Sequence, residues 1–160
     1  MDQTFIEVLV ARDRNMAAAV MKVVCAILAV FSLIMVPSSF LFLLAVVIFG
    51  AVAYYSYLQE WIEYEYSYVG GELTVDKIMA RSRRKSMADY AVEKIEAAAP
   101  EGSYHLDRYQ GRDCEVKDYS SRKTGTFIIY YEGQKKLILD ADKGLMEALR
   151  ATAPSRVFLS

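Results

Sequence analysis

Residues 16–58 read MAAAVMKVVCAILAVFSLIMVPSSFLFLLAVVIFGAVAYYSYL and hold a single charged side chain, Lys22. Pro37-Ser38-Ser39 divides the stretch into an apolar run from Met16 to Val36 and a second from Phe40 to Leu58. About 20 mostly apolar residues in helical conformation cover the hydrocarbon core of a bilayer. A helix also satisfies its own backbone polar groups, as that core demands. The stretch is therefore expected to form a two-helix transmembrane hairpin, 16–36 and 40–58. The first run is too long for a cleaved leader, and no small-residue cleavage site precedes Phe40, so a retained helix is expected.

The charges flanking the hairpin are uneven. The connecting Pro37-Ser38-Ser39 has no Lys or Arg. Arg12, Arg14 and Lys22 lie on the N-terminal side, and Lys77, Arg81, Arg83, Arg84 and Lys85 follow the second run. Positive charge favours the cytoplasmic side. The expectation is a multi-pass protein of the cell membrane with both termini cytoplasmic. Lys22, about two turns into its helix, is expected to extend its ammonium toward the headgroups. Tyr54, Tyr55, Tyr57 and Trp61 are expected to form an aromatic belt at the membrane interface, where rings with a polar edge collect.

The N-terminal segment, 1–15, places Phe5, Ile6, Leu9 and Val10 at helical spacing among Asp2, Glu7, Arg12 and Asp13. Such an amphipathic segment is expected to lie along the interface, pack on the soluble part, or extend the first helix. The pattern alone leaves these three open.

Residues 60–160 carry 16 of the 19 basic and 17 of the 20 acidic residues. This near balance excludes a global attraction for nucleic acid, so no nucleic-acid partner is expected. Cys25 lies in the first run and Cys114 in the soluble part, two lone thiols that form no disulfide framework.

From Ile62 the hydrophobic period becomes two. Ile62, Tyr64, Tyr66 and Tyr68 alternate with Glu63, Glu65 and Ser67, which predicts a strand with Glu63 and Glu65 on its wet face. Gly70-Gly71 suits a two-residue turn, and Leu73 and Val75 begin the return strand, which continues to Met79. Residues 81–85 read as a basic turn, 86–96 as a strand, and 104–110 as a short helix. Strands are expected over 114–119, 126–131 and 136–140. Asp142 caps a helix to about Ala151, and Val157-Phe158-Leu159 docks on the domain. The whole is a membrane α-helical hairpin plus an α+β domain over 60–160.

The string Glu63-Tyr64-Glu65-Tyr66-Ser67-Tyr68-Val69-Gly70-Gly71-Glu72-Leu73-Thr74-Val75-Asp76-Lys77-Ile78, with Arg81-Ser82-Arg83-Arg84-Lys85 and Leu145-Met146-Glu147-Ala148-Leu149, resembles a family of small membrane proteins from Firmicutes. The resemblance covers nearly the whole chain. It implies a cytoplasmic domain similar to bacterial pleckstrin-homology-like (PH-like) domains, a bent antiparallel sheet of about seven strands capped by a C-terminal helix. It brings no catalytic residues to carry over.

Among the residues themselves, Arg81, Arg83, Arg84 and Lys85 are the strongest candidates for contact with a lipid or a partner, because a polybasic segment near an anionic leaflet is attracted to it. The stripe Tyr64, Tyr66 and Tyr68 reads as a packed sheet face. His105 and Cys114 lack the surroundings of an activated nucleophile, and no phosphate loop or metal-ligand spacing is present. No enzyme, cofactor or metal is expected. The expected function is a membrane-anchored, non-enzymatic interaction module or scaffold with a protein partner. The alternatives are a sensor of anionic lipid surface through 81–85, and a homo-oligomer formed through the hairpin, where Ala45, Gly50, Ala51 and Ala53 supply small residues for close helix contact.

Overall fold

The structure is a computed structural model that describes residues 5–123 and 125–160. It divides into a helical unit, Asp13–Ile62 with Ile78–Arg83, and a sheet unit, Met1–Arg12, Glu63–Lys77 and Arg84–Ser160. In chain order the elements are β1 (Ile6–Ala11), α1 (Met16–Met35), α2 (Leu41–Glu60), β2 (Ile62–Val69), β3 (Glu72–Met79), β4 (Arg83–Ala91), β5 (Ile95–Pro100), β6 (Glu115–Asp118), β7 (Thr126–Tyr131), β8 (Lys135–Asp140) and α3 (Lys143–Thr152). Short 3-10 turns occupy Val92–Lys94 and Tyr104–Tyr109.

β1 overturns the helical reading of the N-terminal segment. Ile6, Val8 and Val10 lie opposite Tyr68, Tyr66 and Tyr64 in antiparallel register. Val10 is buried while Leu9 is 60% exposed. The same six residues satisfy a helical and a period-two pattern. Their β-branched content and the ladder offered by β2 decide for the strand. The domain is therefore not confined to 60–160: its first strand comes from before α1. The helical hairpin is an insertion between two neighbouring antiparallel strands.

The first sheet has the order β1-β2-β3-β4 and the second β5-β7-β8-β6. In the second, β6 runs parallel to β8, while β5–β7 and β7–β8 are antiparallel. Ala97-Ala98-Ala99, a helix-favouring triplet by propensity, lies in β5, where the ladder with β7 overrides propensity. The strand expected over 86–96 is thus two strands, broken at Val92–Lys94.

The core follows from side-chain alternation. Tyr64, Tyr66 and Tyr68 from β2, Leu73 and Val75 from β3, Phe127, Ile129 and Tyr131 from β7, Leu137 and Leu139 from β8, and Leu145 and Leu149 from α3 are all buried. β7 is buried on both faces. Its Ile128 and Tyr130 pack with Ala97, Ala99, Leu106 and Tyr109 in a second cluster. A strand covered on both sides reads as a continuous apolar run, as Thr126–Tyr131 does. Tyr66, fully buried, donates its hydroxyl to the Tyr119 carbonyl at 2.5 Å and accepts from the Asp140 amide at 3.3 Å. Burial pushes its phenol well above the ordinary tyrosine range.

α3 begins at Asp142, whose carboxylate accepts from the Leu145 amide at 2.9 Å. The chain after α3 returns to the edge of β5: the Ala98 amide donates to the Arg156 carbonyl, and the Phe158 amide to the Ala98 carbonyl, both at 2.8 Å.

The helical unit packs by another rule. On α1 the buried and half-buried positions are Ala18, Ala19, Lys22, Cys25, Ala29, Ser32, Met35 and Val36 at its C-cap, which recur at spacings of three and four. On α2 they include Phe42, Ala45, Phe49, Ala53, Ser56 and Glu60. Most of the seam is small or polar. The large apolar side chains, among them Val23, Ile27, Phe31, Ile34, Leu44 and Val47, are exposed. Met16–Ser38 and Leu41–Glu60 are long and apolar enough to cross a membrane.

Candidate functional site

The feet of the hairpin converge on Glu60, the last residue of α2. Its side chain is 2% exposed although it is charged. Arg14 reaches its Oε1 through Nη2 at 2.5 Å and Nε at 2.7 Å, and the Lys22 ammonium binds Oε2. The Asn15 amide donates to the Glu60 carbonyl at 3.0 Å, and the Asn15 side chain caps α1 by accepting from the Ala18 amide at 3.1 Å. A buried carboxylate is costly unless paired, and both oxygens here have cationic partners. Lys22 therefore reaches back to the end of α2, with the Tyr57 ring 5.8 Å away. Sequence reasoning missed Glu60. The signal was available: antiparallel helices joined by a short loop bring the start of one beside the end of the other.

Trp61 follows directly. The Arg14 and Arg81 guanidinium carbons lie 5.6 Å and 4.7 Å from its ring centroid. Arg83 donates to the Tyr54 hydroxyl at 3.1 Å. Of the proposed aromatic belt, Tyr54, Tyr55 and Tyr57 are exposed on the last two turns of α2, and Trp61 is half-buried beyond its end.

The basic segment 81–85 is not one turn. The turn is Ala80–Ser82, and β4 begins at Arg83, so alternation along the strand divides the cations. Arg84 bonds Glu65 and lies 3.2 Å from Asp76. Glu65, placed on the wet face by its alternation with the tyrosines, is buried and answered by Arg84. Arg81 and Arg83 contact Trp61 and Tyr54, and Lys85 is exposed.

Arg12 also departs from the role its sequence position suggests. Its guanidinium donates to the Ser120 carbonyl at 2.9 Å and the Asp118 carbonyl at 2.8 Å, and meets the Asp118 carboxylate at 3.2 Å. Burial works to raise the pKa of Asp118. It is outweighed by hydrogen bonds from the Ser120 hydroxyl and amide, and by Arg122 and Arg12, so the carboxyl sits below its ordinary value. Within β1, the pKa of Glu7 is raised, first by its hydrogen bond with the Glu65 carboxylate and then by that group's charge.

Among the described residues, the cavities of the sheet unit include two of similar size. One of about 460 Å³ is lined by Leu106, Tyr109, Arg112, Cys114, Tyr130 and Lys136 among others. The second, of about 450 Å³, includes His105, whose ring stacks on Phe158 at 3.7 Å. His105 and Cys114 thus line different cavities. Among the described residues, no group of three or more His, Cys, Asp or Glu is placed to hold a metal ion. Of the small residues in α2, Ala45 and Ala53 lie in the α1–α2 seam, while Gly50 and Ala51 are exposed.

A helical hairpin, two four-stranded sheets and a closing C-terminal helix define an α+β protein of the PH-like class. The chain belongs to the bacterial PH-like domain family (DUF6106), whose sequence model matches residues 2–159. Searches of curated proteins and of solved structures gave no match.

Proposed function

We propose that α1 and α2 span the cell membrane with both chain termini on the cytoplasmic side, and that the PH-like domain serves there as a non-enzymatic module that positions a protein partner. The observation that carries this reading is the inverted packing of the hairpin. Small and polar residues fill its seam, and large apolar side chains cover its outside. In water that arrangement exposes far more contiguous apolar surface than a soluble monomer tolerates. In lipid it is ordinary, because close packing of small residues drives helix association there. The uncharged Pro37-Ser38-Ser39 against cationic feet supports the orientation.

The test is cysteine labelling of the full chain in cells. With Cys25 and Cys114 changed to Ser, Ser38→Cys is expected to react with an impermeant reagent added outside, and Arg150→Cys only after permeabilisation. Labelling of both from outside, or recovery of the protein in the soluble fraction, overturns the reading. Photo-crosslinking from the exposed Val116 then tests for a partner protein. A second reading, a sensor of anionic lipid surface, is favoured by one observation: Arg81 and Arg83 rest on the aromatic end of α2.

A further inference from the structure

Two tight turns in the first sheet make similar left-handed bends with different residues. Between β2 and β3 the left-handed positions are Gly70, φ 57°, and Gly71, φ 94°. Between β3 and β4 they are Ala80, φ 51°, and Arg81, φ 58°, in a turn closed by the Ser82 amide on the Met79 carbonyl at 3.2 Å. Consecutive positive φ values belong to the mirror-image hairpin turn, which favours Asn and Gly. Any residue with a Cβ is strained there. The glycine solution is present ten residues earlier, yet the second turn carries an alanine and an arginine. Strain held at one point directs attention to what it presents.

What it presents is Arg81. The Ala80 amide donates to the Trp61 carbonyl at 2.9 Å, fixing the turn against the end of α2, and Arg81 lies over the Trp61 ring. Arg14 approaches the same ring, so the two guanidinium carbons are within about 10 Å of each other. Among the described residues Arg81 and Arg83 pair with no carboxylate, whereas Arg84, the next cation, is held by Glu65 and Asp76. Arg14 gives Nε and Nη2 to Glu60, and its side chain remains 46% exposed.

We propose that Arg81, Arg83 and Arg14, gathered around Trp61 and Tyr54, bind the phosphate of an anionic phospholipid. The proposal rests on the membrane reading above and names the ligand of its interface. Guanidinium groups match phosphate oxygens through paired N–H donors. Tryptophan and tyrosine at a helix end lie at headgroup depth, where a phosphodiester is found. Glu60 sets one negative charge against two cations, Lys22 and Arg14, so Arg81, Arg83 and the exposed part of Arg14 are left for an external anion.

Trp61 is the single tryptophan and therefore reports from the site itself. Full-length protein is placed in nanodiscs of phosphatidylcholine, alone or with increasing phosphatidylglycerol, and Trp61 emission is followed. A saturable change is expected. The double variant Arg81→Gln/Arg83→Gln is expected to weaken it roughly thirty-fold, at about fivefold per arginine at an anionic surface. Lys143→Gln/Arg150→Gln, which removes the same charge from α3, is expected to leave it unchanged. Arg81→Gly is the sharpest variant: its thermal midpoint rises as the left-handed strain is relieved, while the lipid response falls. A lowered midpoint would mark Arg81 as a structural residue and overturn the proposal. So would an equal response in both double variants, or no response of inserted wild-type protein. An equal response to inorganic phosphate in phosphatidylcholine discs overturns the lipid assignment in favour of a soluble anion. Failure to enter discs at all overturns the membrane reading instead.

Discussion

The helical unit and the sheet unit apply opposite rules to the same amino acids. In the sheet unit, Phe127, Leu137 and Leu139 are buried and most charges face outward. In the helical unit, Ala18, Ser32, Ser56 and Glu60 are buried, while Phe31, Leu44 and Val47 face outward. Burial of apolar area stabilises a fold only when the alternative environment is water. The inversion is what the proposed bilayer would account for, since it would surround the helical unit and leave the sheet unit in water. It also explains the polar seam of the hairpin, where close backbone approach and the Glu60 ion pairs substitute for a hydrophobic core.

The largest expected effect tests that contrast directly. Phe127→Ala should cost about 3–5 kcal/mol by denaturant unfolding of the detergent-solubilised chain. Leu44→Ala, also a loss of large apolar bulk, should stay within about 0.5 kcal/mol. Comparable losses at the two sites would break the comparison. Next, Val10→Asp should destabilise by about 3 kcal/mol, because it buries a charge opposite Tyr64. Leu9→Gln, one residue away and kept uncharged because Leu9 lies opposite Glu65, should change stability by less than about 0.5 kcal/mol. On a helical face the two would behave alike, so this pair of midpoints separates strand from helix.

The two turns give a smaller contrast. A Cβ added at Gly70 or Gly71 meets nothing within 4 Å, so only the backbone conformation resists it. Gly71→Ala should cost about 1 kcal/mol, and Ala80→Gly should gain a similar amount in thermal unfolding. The smallest effect concerns Glu7. Its pKa is raised in the folded state by Glu65, so ionising it weakens the fold as pH rises through the folded value. Glu7→Gln should therefore raise the midpoint near neutral pH, and the gain should disappear below the ordinary carboxylate range. A gain that persists in acid would show that repulsion from Glu65 is not its source.

Local pattern made much of the fold legible. The two apolar runs, the Gly70-Gly71 turn, β7 as an apolar run and the Asp142 cap are signals written within a few residues of each other. The misread elements depend on distant partners. β1 is chosen by β2, whose residues lie more than fifty positions away, so six residues with two compatible periods had no local arbiter. Ala97-Ala98-Ala99, beyond the strand expected over 86–96, is strand because β7 pairs with it. The basic run was visible as charge, but its division was not. Whether an arginine finds Glu65, Trp61 or Tyr54 depends on which strand face it occupies and on what folds against that face.

The helical hairpin and the alternating strands were readable in composition and periodicity, because these respond to burial one element at a time. That the hairpin interrupts a pair of adjacent strands, that Glu60 ties its feet together, and that Arg81 and Arg83 are separated from Arg84 emerged only on folding. Those outcomes arise from contacts between residues far apart in the chain, where pairing geometry and the cost of a buried charge select one arrangement from several that the local pattern permits.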